Sequence, residues 1–464
     1  MKIHNTLTRQ TEDFNPIEPD EVKLYTCGPT VYDFAHIGNL RSFVFDDTLR
    51  RTLQTAGYKV KHVMNITDVG HLSDDADEGD DKLEKGAQRE SKSVWEVADY
   101  YINAFVKDMA ALNVLPPNGY GSDKGPYARA TDFIKEQLEI VQILMDKSFA
   151  YQTDHAIYFD VAKLDDYGKL TGQKLADKEV AVRSEVVVDK DKKNPQDFAL
   201  WFFKVGRFAD HSMAWPSAWG DGFPGWHLEC SAIIHATLGE PIDIHTGGVD
   251  HIGTHHTNEI AQTEAAFGLK LANYWVHNEH LLVDGHKMSK SAGNYFTLKD
   301  ISDKGHDPLA LRLLFLQSHY RTQSNFTWES LEAAANFLKK LYAWADLVLQ
   351  SDRKLQPETE SRILNDIKLA MGNDLNSPRA LAILSEALGS QAPTPKLLSD
   401  LDEIFGLRFS GRADINPEQK ELLNQRQAAR DRQDWQKADQ IRDELRSSEL
   451  EVLDTDSGQV WSRA

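Results

Sequence analysis

The fold is decided by residues 22–66, which read VKLYTCGPTVYDFAHIGNLRSFVFDDTLRRTLQTAGYKVKHVMNI. The first six of them, 22–27, have the composition of a short strand. A helix is predicted over 40–56, because apolar side chains recur four residues apart and Gly57 stands where a helix cap is expected. A second strand follows at 60–66. Strand, helix and strand in this order predict a βαβ unit, the element of a doubly wound parallel sheet.

Further along the chain, the same kind of pattern returns after a long interruption. Residues 71–85 are rich in Asp and Gly and predict an exposed loop. Helices are predicted at 93–112 and 130–147, and the second lies among short strands and charged turns typical of an insertion. The remaining predicted elements are a βα pattern at 224–264, a strand at 279–283, and helices from 308 onward with breaks near Pro393 and Pro417.

The composition is that of a large acidic globular protein. Its 464 residues are enough for about three domains at ~150 residues each. The net charge is −20, which argues mildly against RNA as a partner, although one local basic surface would still be compatible with it. No apolar run approaches the ~18 residues of a membrane span, and the first residues lack the apolar core of a signal peptide. We therefore expect no membrane association and a cytoplasmic location.

The chain has two cysteines, Cys27 and Cys230. Two thiols in a chain of this size do not form a disulfide framework. Taken from composition alone, they are most simply two buried, unreactive thiols.

Two short motifs suggest phosphate chemistry. HIGN, at residues 36–39, falls at the predicted strand-to-helix turn, where free N–H groups favour a phosphate and glycine permits close approach. KMSKS, at residues 287–291, carries two lysines that could clamp a developing pyrophosphate when a loop closes. Alone, each has an ordinary alternative, a loop histidine or a solvated basic turn. Their combination, about 250 residues apart, is far more specific.

A third group has the chemistry of a metal site. Cys27 ends the first strand, and Cys230 lies in GWHLECSA at 225–232. His255 and Glu259 are four residues apart, so on a helix they share one face. Two thiolates, an imidazole and a carboxylate make a tetrahedral zinc set. On spacing alone, a chance grouping remains open.

Taken together, these motifs resemble those of the class I aminoacyl-tRNA synthetases, which carry a HIGH-like motif early and KMSKS late in one Rossmann-type domain. The segments TCGPTVYD, GWHLECSA and HHTNE resemble the cysteine-specific branch of that family. The first motif ends in Asn39 instead of His, a variant also found in this branch. The resemblance spans nearly the whole chain and is weakest at 71–90 and 160–195.

This resemblance implies an enzyme that activates L-cysteine with ATP and joins it to tRNA(Cys). It implies one Zn²⁺ per chain that selects the substrate thiolate, because soft sulfur is a far better zinc ligand than the hydroxyl of serine. It also implies Mg²⁺ with ATP. The implied zinc ligands are Cys27, Cys230, His255 and Glu259.

Further roles follow from the same resemblance. Catalysis is assigned to His36, Asn39, Lys287 and Lys290. ATP binding is assigned to His36, Gly38, Asn39, Gly247, Gly248, Asp250, Lys287 and Lys290. The cysteine pocket is assigned to Thr67, Trp226 and His245, with Trp275 and His277 near the same site. For the tryptophans, ordinary core packing is the alternative.

The implied architecture is α/β, with a Rossmann-type parallel-sheet catalytic domain that holds an insertion and is followed by an α-helical anticodon-binding region. Its expected segments are 1–115 and 206–282 as the two halves of the catalytic domain, 116–205 as the insertion, 283–325 as the KMSKS loop and stem-contact region, 326–404 as a helical bundle, and 405–464 as the anticodon-recognition module. A monomer is expected.

Two other functions fit part of the pattern. A cysteine:amino-sugar ligase of mycothiol biosynthesis shares the catalytic core and the zinc site but lacks a terminal anticodon module. A non-catalytic synthetase paralogue would not need intact motifs. The chain also departs from the family at Phe223 and Thr257, where Arg and Glu are usual.

Overall fold

The computed structural model describes residues 1–69, 72–74, 78–121, 123, 125–172, 191–289, 293–389, 391–455 and 458–463, with the backbone alone at 73, 74 and 78–80. The strands, numbered in chain order, are β1 Lys2–Asn5, β2 Gln10–Asp13, β3 Glu21–Thr26, β4 Lys59–Ile66, β5 Leu72–Asp74, β6 Glu78–Asp81, β7 Ala128–Arg129, β8 Ala150–Gln152, β9 Ala156–Phe159, β10 Phe198–Phe203, β11 Gly222–Pro224, β12 Ile242–Gly248, β13 Ala272–Asn278, β14 Leu281–Val283, β15 His286–Lys287, β16 Ser324–Phe326, β17 Leu450–Thr455 and β18 Gly458–Arg463. The α-helices are α1 Ile37–Thr55, α2 Lys82–Glu90, α3 Val94–Ala111, α4 Ile134–Asp146, α5 Leu228–Thr237, α6 His255–Phe267, α7 Leu298–Asp303, α8 Pro308–Leu316, α9 Trp328–Asp346, α10 Pro357–Met371, α11 Ser377–Ala387, α12 Pro395–Phe405, α13 Pro417–Asp431 and α14 Trp435–Ser447.

A five-stranded sheet in the order β13-β12-β3-β4-β7 forms the centre of the first compact unit, which comprises residues 1–300 and 320–325. Every neighbouring pair in it is parallel. The predicted βαβ unit is therefore present as β3-α1-β4. Its helix ends where predicted, because Gly57 takes a left-handed φ of 100° directly after the C-cap.

Two predictions for this unit need correction. The described residues between 71 and 85 form β5, β6 and the start of α2. The helix begins there because Asp81 caps it by accepting hydrogen bonds from the N–H groups of Leu83 and Glu84. The strand expected at 279–283 is β14, which spans only Leu281–Val283, and the longer strand β13, which precedes it, was not predicted. The short strands predicted between 116 and 205 are present as β8, β9 and β10, and they join β11, which lies beyond residue 205, in a four-stranded antiparallel sheet in the order β11-β10-β9-β8.

The second unit comprises residues 301–319 and 326–464, and its described residues are helical up to α14 as predicted, with one strand residue, Phe326 of β16. The prediction of an almost wholly helical region does not include the terminal hairpin, in which β17 and β18 pair antiparallel. Val452 and Trp461 of the hairpin pack with Ile441 and Leu445 of α14. The terminal module is therefore two helices closed by a hairpin.

A buried carboxylate on α9 holds both ends of this terminal module. Asp346 is 1 % exposed and accepts hydrogen bonds from Nε and Nη2 of Arg412 at 2.7 and 2.9 Å. It also accepts one from Nη1 of Arg463 at 2.7 Å. Because a buried carboxylate is costly unless it is paired, these bonds are needed to hold Asp346 inside.

Among the described residues, no helix combines the length and the apolar character that crossing a membrane requires.

Candidate functional site

A cavity of about 570 Å³ lies at the carboxyl ends of the parallel strands. Its lining includes Cys27 directly after β3, Thr67 directly after β4, and Gly247 at the end of β12. In the strand order, β4 lies next to β3 toward one edge of the sheet, whereas β13 lies next to β12 toward the opposite edge. Doubly wound sheets bind ligands outside the strand ends where the strand order reverses in this way. The topology therefore explains the position of the cavity.

Four potential metal ligands converge beside the cavity. The sulfur atoms of Cys27 and Cys230, one nitrogen of His255 and one carboxylate oxygen of Glu259 all lie within 4.8 Å of one another. Cys230 Sγ is 3.5 Å from His255 Nε2, which in turn is 2.8 Å from Glu259 Oε1. The structure thus brings four side chains from three separate segments to a single point, where they could hold a metal ion.

The donor set itself fits a zinc-like ion. Glu259 Oε1 is buried and makes no aligned hydrogen bond, although His255 Nε2 is 2.8 Å away. Two ligand atoms this close without hydrogen-bond alignment fit donors aimed at a common cation. Two sulfurs, a nitrogen and an oxygen suit a borderline-soft ion, whereas Mg²⁺ and Ca²⁺ take oxygen ligands.

An overlapping donor set surrounds the first one. Cys27, His245, His256 and Glu259 also have ligand atoms within 4.8 Å of one another. However, His245 Nε2 is hydrogen-bonded to Glu259 Oε2 at 2.7 Å, and His256 Nε2 lies 3.3 Å from Cys27 Sγ. The other nitrogen of His256 is held by His277 at 2.7 Å. His245 and His256 are thereby placed to orient the two ligands that both sets share.

The electrostatics of the cluster favour a cation. Burial raises the pKa of Glu259, but His245 and His255 outweigh burial and bring that pKa down to about 2. Burial also raises the pKa of both thiols. For Cys27, the hydrogen bond with Cys230 and the neighbouring histidines reverse this effect and hold its pKa well below the usual value, whereas the pKa of Cys230 stays well above it. Without a metal, therefore, one thiolate and one carboxylate carry the negative charge.

A positive charge on His255 compensates the charges of the Cys27 thiolate and the Glu259 carboxylate. Burial lowers the pKa of this imidazole, but Glu259 and Cys27 outweigh burial and raise the pKa to about 10. Burial lowers the pKa of His256 to about 4, so this second imidazole stays neutral. A bound dication would displace the proton of His255, because only the neutral imidazole is a ligand.

The HIGN residues form the cap of α1. Asn39 donates its backbone N–H to Nδ1 of His36 at 3.1 Å, and His36 donates its own N–H to Oδ1 of Asn39 at 3.2 Å. This reciprocal pair is a capping box, so the asparagine has a local structural use. A Cβ at Gly38 would lie 2.5 Å from Cε of Met288, which shows that the HIGN and KMSKS segments meet at this glycine.

The described part of the KMSKS segment, residues 287–289, starts at the end of a hairpin and is closed by an asparagine. Asn294 accepts from the N–H of Ser289 at 2.9 Å and donates to the carbonyl of Lys287 at 3.2 Å. Lys287 and Met288 line the same cavity as His36. Lys290 lies outside the described residues, so its role stays a prediction.

At the end of β12, two glycines let the chain pass close to other groups. A Cβ at Gly247 would lie 2.6 Å from the ring of His256, and a Cβ at Gly248 would lie 2.3 Å from Oδ1 of Asp250. All three of Gly247, Gly248 and Asp250 line the cavity. The backbone is therefore bare where a nucleotide is expected to approach.

The residues predicted for the cysteine pocket divide into two groups. Thr67 and Trp226 line the cavity, and the indole of Trp226 stacks on His255 with centroids 4.4 Å apart. His245 is fully buried behind the metal cluster and stacks on Trp275 at 4.6 Å. These two residues therefore support the cluster from behind.

A buried carboxylate in this pocket was missed in the sequence. Glu229 lines the cavity, accepts a hydrogen bond from Oγ1 of Thr67, and accepts another from Nδ2 of Asn65 at 3.3 Å. Burial raises its pKa to about 8, although the Thr67 bond acts in the other direction. A carboxylate next to Cys230 in a helix that is buried from Leu228 to Ile234 is unusual, and this signal could have identified it.

Both departures from the family pattern have local explanations. Phe223 is fully buried and stacks on His211 with centroids 3.9 Å apart and planes 7° apart. Thr257 donates its hydroxyl to the carbonyl of Ile252 at 2.7 Å. Neither position leaves a buried charge without a partner.

The chain matches two family definitions. Residues 13–336 match the tRNA synthetases class I (C) catalytic domain, and residues 412–461 match the cysteinyl-tRNA ligase anticodon binding domain. The second match disfavours the amino-sugar ligase, which is expected to lack this module.

Relatives of similar length are named cysteine–tRNA ligases. Cysteine--tRNA ligase 1 of Burkholderia lata is 44 % identical over 99 % of this chain and 96 % of its own length. Cysteine--tRNA ligase of Treponema denticola is 39 % identical over 100 % of this chain and 99 % of its own length.

Solved structures of low identity share the fold. Methionyl-tRNA synthetase of Mycobacterium tuberculosis, in complex with methionyl-adenylate, has a TM-score of 0.56 at 14 % identity, with 84 % of each chain covered. The LeuRS of Agrobacterium radiobacter K84, in a ternary complex with tRNA and LeuAMS, has a TM-score of 0.59 at 12 % identity, covering 87 % of this chain and 86 % of that one. With its class I catalytic domain, its anticodon-binding domain and full-length relatives of the same name, the chain belongs to the cysteine–tRNA ligase family.

Proposed function

We propose that the protein activates L-cysteine with ATP to cysteinyl-adenylate and transfers the cysteinyl group to tRNA(Cys). The observation that carries this proposal is the joint position of two sites. A thiolate-rich metal set and the HIGN and KMSKS residues face one cavity of about 570 Å³. A small thiol amino acid and a nucleotide could therefore react there side by side.

Zinc is the proposed metal, with one ion per chain held by Cys27, Cys230, His255 and Glu259. When bound, the ion supplies a soft Lewis acid that accepts a substrate thiolate far better than a hydroxyl. The chain contributes rigidity to this site. His245 fixes Glu259, and Trp226 covers one face of His255.

The amino-acid pocket is proposed to hold the other groups of cysteine. Thr67 and Glu229 form a hydrogen-bonded pair at the cavity wall. A substrate ammonium beside Glu229 would lower the pKa that burial raises, so the group would bind it as a carboxylate held in place by a threonine and an asparagine. Glu229 is therefore proposed as a substrate-binding residue beside Thr67 and Trp226.

The nucleotide is proposed to lie between the two motifs. His36, Gly38, Asn39, Gly247, Gly248 and Asp250 would contact ATP, and Lys287 and Lys290 would stabilise the charge that develops on the leaving pyrophosphate. Mg²⁺ is expected to accompany ATP. The cysteine carboxylate attacks the α-phosphorus of ATP, the bond between that phosphorus and the pyrophosphate oxygen breaks, and cysteinyl-adenylate and pyrophosphate form. A ribose hydroxyl at the tRNA end then attacks the carbonyl carbon, and AMP leaves. The chain thus acts by positioning and charge stabilisation.

The tRNA is proposed to be read by the terminal module. Residues 405–464 are the proposed anticodon module, 326–404 a helical bundle, and 283–325 the loop and stem-contact region. The catalytic halves, 1–115 and 206–282, and the insertion, 116–205, complete the assignment. We further propose that the protein acts as a monomer in the cytoplasm.

The test is cysteine-dependent exchange of pyrophosphate into ATP, beside the same assay with serine. We expect cysteine to be activated several orders of magnitude faster, because serine offers the metal only a hydroxyl. Activation of serine within about tenfold of cysteine would contradict selection by the metal. The matched control is the variant Cys230→Ala, which should lose zinc and most of the preference together.

A further inference from the structure

An exposed aromatic cluster lies at the edge of the cavity. Phe34 is 38 % exposed and Tyr100 is 48 % exposed, and their ring centroids are 5.9 Å apart. Buried Tyr101 packs edge-on against both, at 5.1 Å in each case. Two neighbouring rings this accessible on a folded surface are candidates for a binding function.

The cluster is continuous with the active-site cavity. Phe34 and Tyr101 both line it, and Phe34 stands two residues before His36. Phe34 is also held in place, because the hydroxyl of Tyr295 donates to its carbonyl at 3.0 Å. Tyr101 is held by a hydrogen bond from its hydroxyl to Glu90 at 2.6 Å. The rings therefore form a fixed edge of the cavity.

The charges around the rings do not favour one sign. Lys92 Nζ lies 4.8 Å from the centroid of Tyr100, but it is paired with Glu90 at 3.2 Å. Arg89 is paired with the same carboxylate at 3.3 Å, and Asp33 precedes Phe34. A ligand recognised mainly by phosphate charge would require a cationic excess here. Exposed aromatic rings instead suit a flat, uncharged group such as an unstacked nucleic-acid base.

We propose that Phe34 and Tyr100 stack a base of the single-stranded 3′ end of the tRNA as that end enters the cavity. The proposal rests on the proposed function, because transfer of the cysteinyl group requires the terminal ribose to reach this cavity. The bases next to that ribose must then pass the cavity edge, where these rings stand. Stacking tolerates any base, so it would hold the end in place without reading its sequence.

The first experiment measures tRNA charging and pyrophosphate exchange for Tyr100→Ala and Phe34→Ala. Loss of one stacking ring should raise the KM for tRNA roughly tenfold. In Tyr100→Ala, exchange should change by less than twofold, because no tRNA takes part in it and Tyr100 is not among the residues that line the cavity. Tyr100→Phe keeps the ring and should restore charging. The control is Trp95→Ala, which removes a ring of similar exposure, 46 %, from the same helix α3 without touching the cavity lining.

The second experiment measures equilibrium binding of intact tRNA and of tRNA that lacks its three terminal nucleotides. Wild-type protein should bind the intact form roughly tenfold more tightly, and Tyr100→Ala should bind both forms equally. Equal binding by the wild type would overturn the proposal. A raised KM for ATP in Tyr100→Ala would also overturn it, because the ring would then serve the nucleotide. If wild-type protein failed to exchange pyrophosphate with cysteine, the proposed function itself would fail, which is a separate outcome.

Discussion

Replacing Gly28 by alanine should damage the metal site without touching any ligand. Gly28 follows Cys27 and crosses the end of β4, where its N–H donates to Oδ1 of Asn65 at 2.8 Å. A Cβ added at Gly28 would lie 1.7 Å from the carbonyl oxygen of Asn65 and 2.8 Å from its carbonyl carbon. The obstacle is backbone, so a change of side-chain rotamer cannot relieve the clash.

The size of the displacement follows from this contact. To bring the new Cβ to 3.0 Å from that oxygen, the two segments must separate by about 1.3 Å. Asn65 lies within β4 and is paired with Ala128 of β7, whereas Cys27 and Gly28 lie beyond the end of β3, so we expect the segment that carries Cys27 to give way. Zinc–ligand distances tolerate only about 0.2 Å. We expect zinc affinity to fall roughly 10- to 100-fold, as it does when the partners of a ligand are lost.

The assay is competition for zinc against a chelator of known affinity, with thermal unfolding measured alongside. Gly121→Ala is the matched control, because a Cβ there has no atom within 4 Å. Wild-type zinc affinity in Gly28→Ala, with its unfolding unchanged, would refute the argument that this glycine positions Cys27.

Three other predictions follow from the same structure. In Cys230→Ala, elemental analysis should find most of the zinc gone, and full retention would contradict the assigned ligand set. Burial raises the pKa of Asp68 to about 6, although hydrogen bonds from Thr131 oppose this shift. Asp68 therefore holds its proton to a higher pH in the folded protein than in the unfolded chain. The free energy of unfolding should fall by up to about 3 kcal/mol as pH rises from about 4 to above 6. Asp68→Asn should remove that dependence, and an equal pH profile of Tm in both proteins would show that Asp68 does not cause it. A chain that ends at Ser410 and carries Asp346→Asn, because it lacks Arg412 and Arg463, should retain pyrophosphate exchange but lose tRNA charging. Equal charging by the truncated and full-length chains would exclude a role of the terminal module in reading tRNA.

The central part of the fold could be predicted because its signals are local. The fourfold spacing of Phe45, Leu49 and Leu53 marks the buried face of α1, and parallel strands place their carboxyl ends at one edge. The resemblance assigned Cys27 to the zinc site and Thr67 to the cysteine pocket, and the edge rule explains why one cavity is lined by both. A signal for α2 was also present, since Asp81 precedes its first turn and Glu84 stands three residues later.

Other features depended on partners distant in sequence. Strand β13 was missed because its burial is almost continuous, and a short apolar run does not reveal its register. The terminal hairpin was missed because most outward residues of its first strand are polar, with Leu453 exposed among them, and its inward residues pack on α14, which only the folded chain brings near. The contact between Glu229 and Thr67 joins residues 162 positions apart, and no local pattern encodes it.

Arg412 and Arg463 both pair with one carboxylate, Asp346, so the two ends of the segment 412–463 lie close together. A segment whose two ends meet can be exchanged as a cassette, because a replacement needs to match only one anchor point. We expect chimeras that graft the tail of another cysteine–tRNA ligase after residue 411 to fold when the graft preserves both arginines. A graft that lacks them would leave the buried carboxylate without its counter-charge, and Asp346→Asn in the host helix would be the corresponding compensating change.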